Sequence, residues 1–141
     1  MADRIKAYFM RVSEDGAVYK GYLGEIEDTL EAKQRYVNFG RAGGLIQAVR
    51  LTEEIDVVCD DESKMKQFPP NRAWFYKGEL ADIFCGNILC VRHNNEGEFI
   101  SIKEEDIPVI EAHLKAVTQG IFGLSPISSD RLPEWSGDEG Y

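Results

Sequence analysis

Residues 81–93, ADIFCGNILCVRH, decide how the chain folds. The stretch is long, apolar and β-prone, so it reads as a central strand. Gly86 and Asn87 interrupt its middle and mark a bulge or a close approach of another backbone. NNEGE at 94–98 is a hairpin turn, and FISI at 99–102 is a short partner strand. Just upstream lies QFPPNRAWFYKGEL, residues 67–80. There Pro69 and Pro70 stop any strand or helix and hold Phe68 extended.

Outward from this centre, RIKAYFMRV (4–12) is an opening strand, SEDG (13–16) a turn, and AVYKGYLGEI (17–26) a returning strand weakened by Gly21 and Gly24. LIQAVRL (45–51) and IDVVC (55–59) make a second hairpin around TEE. Two helices complete the pattern. In the first, EDTLEAKQRYVNFG (27–40), Asp28 caps the start, Leu30 and Val37 form an inward stripe, and Gly40 ends the helix. The second has a capping-box spacing at Ser101 and Glu104, starts near Asp106 with Pro108 in its first turn, and carries a stripe of Ile107, Ile110, Leu114 and Val117 up to Gly120. The expectation is a single α+β domain over residues 1–122, with a mainly antiparallel sheet of six or seven strands and two helices. Residues 123–141 have no periodicity and four acids, and are expected to be an acidic, loosely ordered tail that Trp135 and Tyr141 could pin.

Of 141 residues 29% are charged, and the net charge is −9. Such a chain does not attract nucleic-acid phosphates through its overall field, and no cluster of Lys and Arg is visible, so no direct nucleic-acid binding is expected. No run approaches the roughly 20 apolar residues of a membrane span. The first residues, MADRIKAYFM, are charged early and lack a signal peptide's apolar core, which points to a reducing cytoplasm. Cys59, Cys85 and Cys90 are odd in number and lack metal or redox spacing, so they read as buried, reduced thiols. A sheet edge left uncovered would allow a homodimer.

No pattern of reaction chemistry emerges. The glycines of FGRAGG (39–44) follow a helix rather than open one, and no Gly-x-Ser-x-Gly elbow is present. The two histidines, His93 and His113, show no metal-ligand spacing with the acids. Cys90 and His93 have opposite parity on one strand, and Cys85 would lie about 25 Å from His93 in an unbroken one. No catalytic residue, metal ligand or cofactor is assigned. The most distinctive polar pair is Asn71–Arg72, set on a rigid proline corner and followed by Trp74, Phe75 and Tyr76. An Arg fork with an aromatic wall suits a ligand or a protein partner, with Asn71, Arg72, Trp74, Tyr76 and Asp82 as the contact residues. The same residues also suit a structural corner, in which Asn71 bonds turn backbone and Arg72 pairs with Asp60 or Asp82.

Residues 45–107, from LIQAV through PPNR and DIFCGN to SIKEEDI, resemble the bacterial and phage family known as domain of unknown function 3846. The matching positions are Gly43, Gly44, Cys59, Asp60, Pro69, Asn71, Arg72, Asp82, Gly86 and Ser101, and EIEDTLEAKQRYV resembles the family's N-terminal helix. The likeness extends over about residues 18–118; the N-terminal hairpin is longer than the family leads one to expect, and the acidic tail beyond Gly120 lies outside it. Members occur on phages, plasmids and conjugative elements. The resemblance implies an accessory, regulatory or host-antagonising role; together with the missing catalytic pattern and the acidic charge, it leads to the expectation of a non-enzymatic accessory protein that binds a host protein or a small nucleotide-like ligand. The alternatives are a small hydrolase of nucleotide-like substrates, uniting Arg72 and His93, and an acidic nucleic-acid mimic.

Overall fold

The computed structural model describes residues 3–137. Among them are ten strands and two α-helices. The strands are β1 (Arg4–Met10), β2 (Tyr22–Glu27), β3 (Ile46–Arg50), β4 (Ile55–Asp60), β5 (Pro70–Tyr76), β6 (Glu79–Cys85), β7 (Ile88–His93), β8 (Phe99–Ile100), β9 (Leu114–Gly120) and β10 (Gly123–Pro126). The helices are α1 (Leu30–Val37) and α2 (Ile107–His113). The α+β class and the antiparallel pairing are as the sequence leads one to expect, but the strands form two sheets. One has the order β2-β1-β7-β4-β3, with β8 added on β7, and the other is β10-β9-β5-β6.

The stretch 81–93 is where the two sheets part. Its first half is β6 in the second sheet and its second half is β7 in the first. Gly86 makes the crossing at φ +79°, and a Cβ there would lie 2.8 Å from the Phe68 ring. A glycine is required on both counts.

The first sheet is buried on both faces. Ile5, Ala7, Phe9, Val58, Leu89 and Val91 face α1, which contributes Tyr36 and Val37. The alternate residues Tyr8, Met10, Val57, Cys59, Ile88 and Cys90 face α2 and the second sheet, meeting Ile110, Leu114 and Phe84. This double burial explains why β4 is buried throughout and why its sequence does not alternate.

Five local readings change. Thr29, not Asp28, caps α1 by accepting from Ala32 N at 3.1 Å, while Asp28 takes the Lys33 ammonium at 2.8 Å. Leu30 is exposed, and Lys33, Tyr36 and Val37 form the buried side. Pro70 does not stop a strand but begins β5, a position where its missing N–H costs no ladder bond. The second helix ends at His113, and Leu114–Gly120 is strand β9, paired with β5. Ser101 accepts from Lys6 N at 2.9 Å instead of capping α2.

The segment set apart as a tail from 123 contains β10, paired with β9. Beyond it Ile127 and Leu132 pack against Val12, Val18, Phe39 and Ala116. Lys20 N donates to Pro133 O at 2.8 Å, and the Trp135 ring meets the Tyr19 ring edge-on at 5.1 Å. Tyr141 lies outside the described residues.

Arg92 and Asp106 tie β7 to the start of α2. The guanidinium donates to both carboxylate oxygens, at 2.6 and 2.7 Å, and also to Glu54, while Asp106 accepts from Lys103 N at 2.9 Å. The bond from Arg92 holds the Asp106 carboxyl below its ordinary range, against the opposing effect of burial. A depressed folded pKa contributes stability that is present above the unfolded value of about 4 and is lost as pH falls through the folded one. Asp106→Asn should therefore lower the urea-unfolding free energy by about 2 kcal/mol at pH 7. The gap to wild type should shrink when the same unfolding is measured near pH 3.

Candidate functional site

Asn71 occupies an irregularity in β5, where the register with β6 shifts between Pro70 and Arg72. The bulge takes its side chain off the ladder and into the seam between the sheets. There Nδ2 donates to Met10 O of β1 and to Gly86 O of the crossing, each at 2.9 Å, and Oδ1 accepts from Arg72 Nη1 at 2.7 Å. The residue is fully buried. Its amide satisfies two carbonyls that strand ends would otherwise leave bare, at a cost of about 1–3 kcal/mol each.

Arg72 is 1% exposed. Its Nη2 donates to Tyr19 O at 2.9 Å, so its acceptors are backbone carbonyls and one amide oxygen. Among the described residues no carboxylate forms an ion pair with it. The acids expected from sequence are engaged elsewhere: Asp60 with Lys66 and Asp82 with Lys64, both at 2.7 Å. Burial lowers the Arg72 pKa, and the charge of Glu111 opposes that shift.

A cleft of about 320 Å³ opens over this guanidinium. Arg72 forms part of its lining, Glu111 and Lys115 come from α2 and β9, and Ser128, Ser129 and Leu132 come from the strap that follows β10. Glu111 receives a short hydrogen bond from the Tyr8 hydroxyl. Lys115 Nζ donates to Glu111 O at 3.0 Å, which holds the ammonium near the rim. Two cations and one carboxylate thus meet at a single opening.

Of the residues singled out in the sequence, the structure unites Asn71 and Arg72 and disperses the others. Trp74 stacks on Phe84 with centroids 6.3 Å apart, and its buried Nε1 has no hydrogen-bond partner among the described residues. Tyr76 is exposed near the β5–β6 turn, with the Lys77 ammonium 5.4 Å from its ring centre. Asp82 bonds Lys64 and accepts from Ile83 N at 2.7 Å, beside a separate depression that includes Cys59 and Asp60. None of these three lines the Arg72 cleft. Glu111, Lys115, Ser128 and Ser129 do line it. No spacing in the sequence marks them, because the first two fall in a stretch with helical apolar intervals and the serines in one with no period.

The nucleophile and base candidates lie away from the cleft. Burial raises all three thiol pKa values, that of Cys59 to about 12, and Cys59 Sγ donates to Gln47 O at 3.7 Å. His93 sits at the end of β7, with Nε2 3.3 Å from Arg50 Nη2 and Nδ1 3.2 Å from Asp56, at an angle that makes no hydrogen bond. His113 Nδ1 contacts Val109 O at 2.9 Å within its own helix. Among the described residues no group of three or more His, Cys, Asp or Glu could hold a metal ion, and no helix is long and apolar enough to cross a membrane.

Fold and site together define a small two-sheet α+β protein with a buried cation beneath a cleft. The family model described as Domain of unknown function (DUF3846) matches residues 9–115, and the chain belongs to that family. The match begins within β1, earlier than residue 18, so part of the N-terminal hairpin lies inside the family. No curated protein and no solved structure matches the chain.

If Asn71 joins the sheets, Asn71→Ala should cost at least about 2 kcal/mol in urea unfolding, because two buried carbonyls lose their donor. Tyr76→Ala, five residues along the same strand but exposed, should stay within about 0.5 kcal/mol of wild type in the same measurement.

Proposed function

We propose that the chain is a binding protein that holds a small phosphate- or carboxylate-bearing ligand, of which a nucleotide is one kind, in the cleft over Arg72. We propose further that it serves bacterial mobile elements or phage as a non-enzymatic accessory protein, as its family resemblance implies. One observation carries the ligand reading: a guanidinium 1% exposed borders an open cleft with no carboxylate paired to it among the described residues. A buried charge costs several kcal/mol unless it is compensated. Neutral acceptors compensate Arg72 in part, and an anionic ligand would complete the task through the planar fork. The raised thiol pKa values and the separate settings of both histidines favour binding over covalent or acid–base catalysis.

Calorimetric titration with adenosine monophosphate should show saturable binding that weakens as salt rises. Lys115→Ala, at an exposed rim position, should weaken it about three- to tenfold, and Arg72→Lys should weaken it further by losing the fork. Native mass spectrometry of fresh protein gives the subunit count and any retained ligand in one measurement. A chain that retains no small molecule and shows no heat of binding at millimolar ligand lacks this function.

A second reading, docking on a host protein, is favoured by one surface feature. Ile121 and Phe122, at the tip of the β9–β10 hairpin, are 96% and 102% exposed. Residues 116–129 around them carry no charge, in a chain that is 29% charged. Apolar anchors of this size are typical centres of protein interfaces. The double substitution Ile121→Ser, Phe122→Ser should leave the thermal midpoint unchanged and abolish cross-linking to any host protein that wild type captures. Equal capture by both proteins would rule the hairpin out.

A further inference from the structure

The cleft holds a carboxylate as well as cations, and that carboxylate bears on which anions suit it. Glu111 is half-buried and accepts from Tyr8 through Oε1, while no hydrogen bond reaches its Oε2 among the described residues. The Tyr8 ring is buried, and the backbone of Gly21 lies against it so closely that a Cβ there would come within 2.5 Å. Burial, and then Glu111 itself, raise the Tyr8 pKa, so the hydroxyl keeps its proton and remains a donor. Glu111 is therefore fixed in position as an acceptor. Among the described residues it makes no ion pair with Arg72, although the two line the same opening and its charge acts on the guanidinium.

A plain anion entering this cleft gains from Arg72 and Lys115 but is repelled by Glu111. A ligand that brings its own positive or donating group turns that repulsion into a contact. Resting on the ligand reading above, we infer that the Arg72 cleft selects a small zwitterion. Its anionic group meets Arg72 and Lys115, and its ammonium or amine donates to Glu111. The volume of about 320 Å³ accommodates both groups of a small molecule at once.

The test compares inorganic phosphate with phosphoethanolamine, which adds an ammonium to the same anion, by calorimetry on the full chain and on Glu111→Gln. The Gln oxygen can still accept from Tyr8, so the variant retains the local hydrogen bond without the charge. On wild type, phosphoethanolamine should bind about tenfold tighter than phosphate, the worth of one added charged hydrogen bond. On Glu111→Gln the two should bind within about twofold of each other. Equal affinities on wild type would overturn the zwitterion inference and leave anion binding intact. A preference that survives in Glu111→Gln would also overturn it, because the ammonium would then be read elsewhere. If neither probe binds wild type, the ligand reading itself falls, and the inference with it.

Discussion

The Asn71 carboxamide joins the two sheets, and much of the surrounding structure depends on that junction. Its three hydrogen bonds reach β1, the crossing at Gly86 and Arg72. Each end of the seam would otherwise expose a buried polar group with no ladder partner. Neighbouring groups complete the network: Tyr36 Oη donates from α1 to Ile88 O at 2.8 Å, and Asn87 Oδ1 accepts from Val12 N at 2.9 Å. Helix, first sheet, crossing and second sheet therefore meet in one polar knot. Among the described residues Asn87 Nδ2 has no partner, but the bonds that are made link four parts of the chain and favour one arrangement of the two sheets over sliding alternatives.

Two arginines show how setting decides role. Arg92 has a bidentate carboxylate and a second acid, and its charge is spent within the fold. Arg72 is buried more deeply but is surrounded by neutral acceptors, with Glu111 as a neighbour rather than a partner. The first is a fastening between β7 and α2. The second has no ion pair among the described residues and borders an opening, which is why the functional proposal rests there and not on the more conspicuous ion pairs.

The hairpins were legible from local signals. Asp15-Gly16 turns the first, Thr52–Glu54 turns the second, and the apolar runs of β4 and β7 reflect strands covered on both faces. The stretch after His113 was not legible in this way. Ile110, Leu114 and Val117 fit a helical stripe, while Leu114 and Ala116 fit a strand just as well, and both occur in the same few residues. The free edge of β5 settled the matter by offering ladder hydrogen bonds that a helix would have left unmade. Pro70 precedes the β5 residues that pair with β9, so its missing N–H interrupts no bond on that side, and the outer edge of β9 takes β10, so the segment after Gly120 doubles back instead of trailing away.

By itself the sequence determined the α+β class, the antiparallel pairings made by short turns, and the polar pair Asn71–Arg72 as the unusual feature. Each depends on contacts between residues near in the chain or on residue chemistry alone. Only the tertiary structure decided that residues 81–93 serve two sheets, that Arg72 lies in the seam among neutral acceptors, and that Glu111 and Lys115 line the same cleft. Those outcomes depend on which distant strand ends meet and on which buried groups find partners there, and no local spacing encodes such pairings.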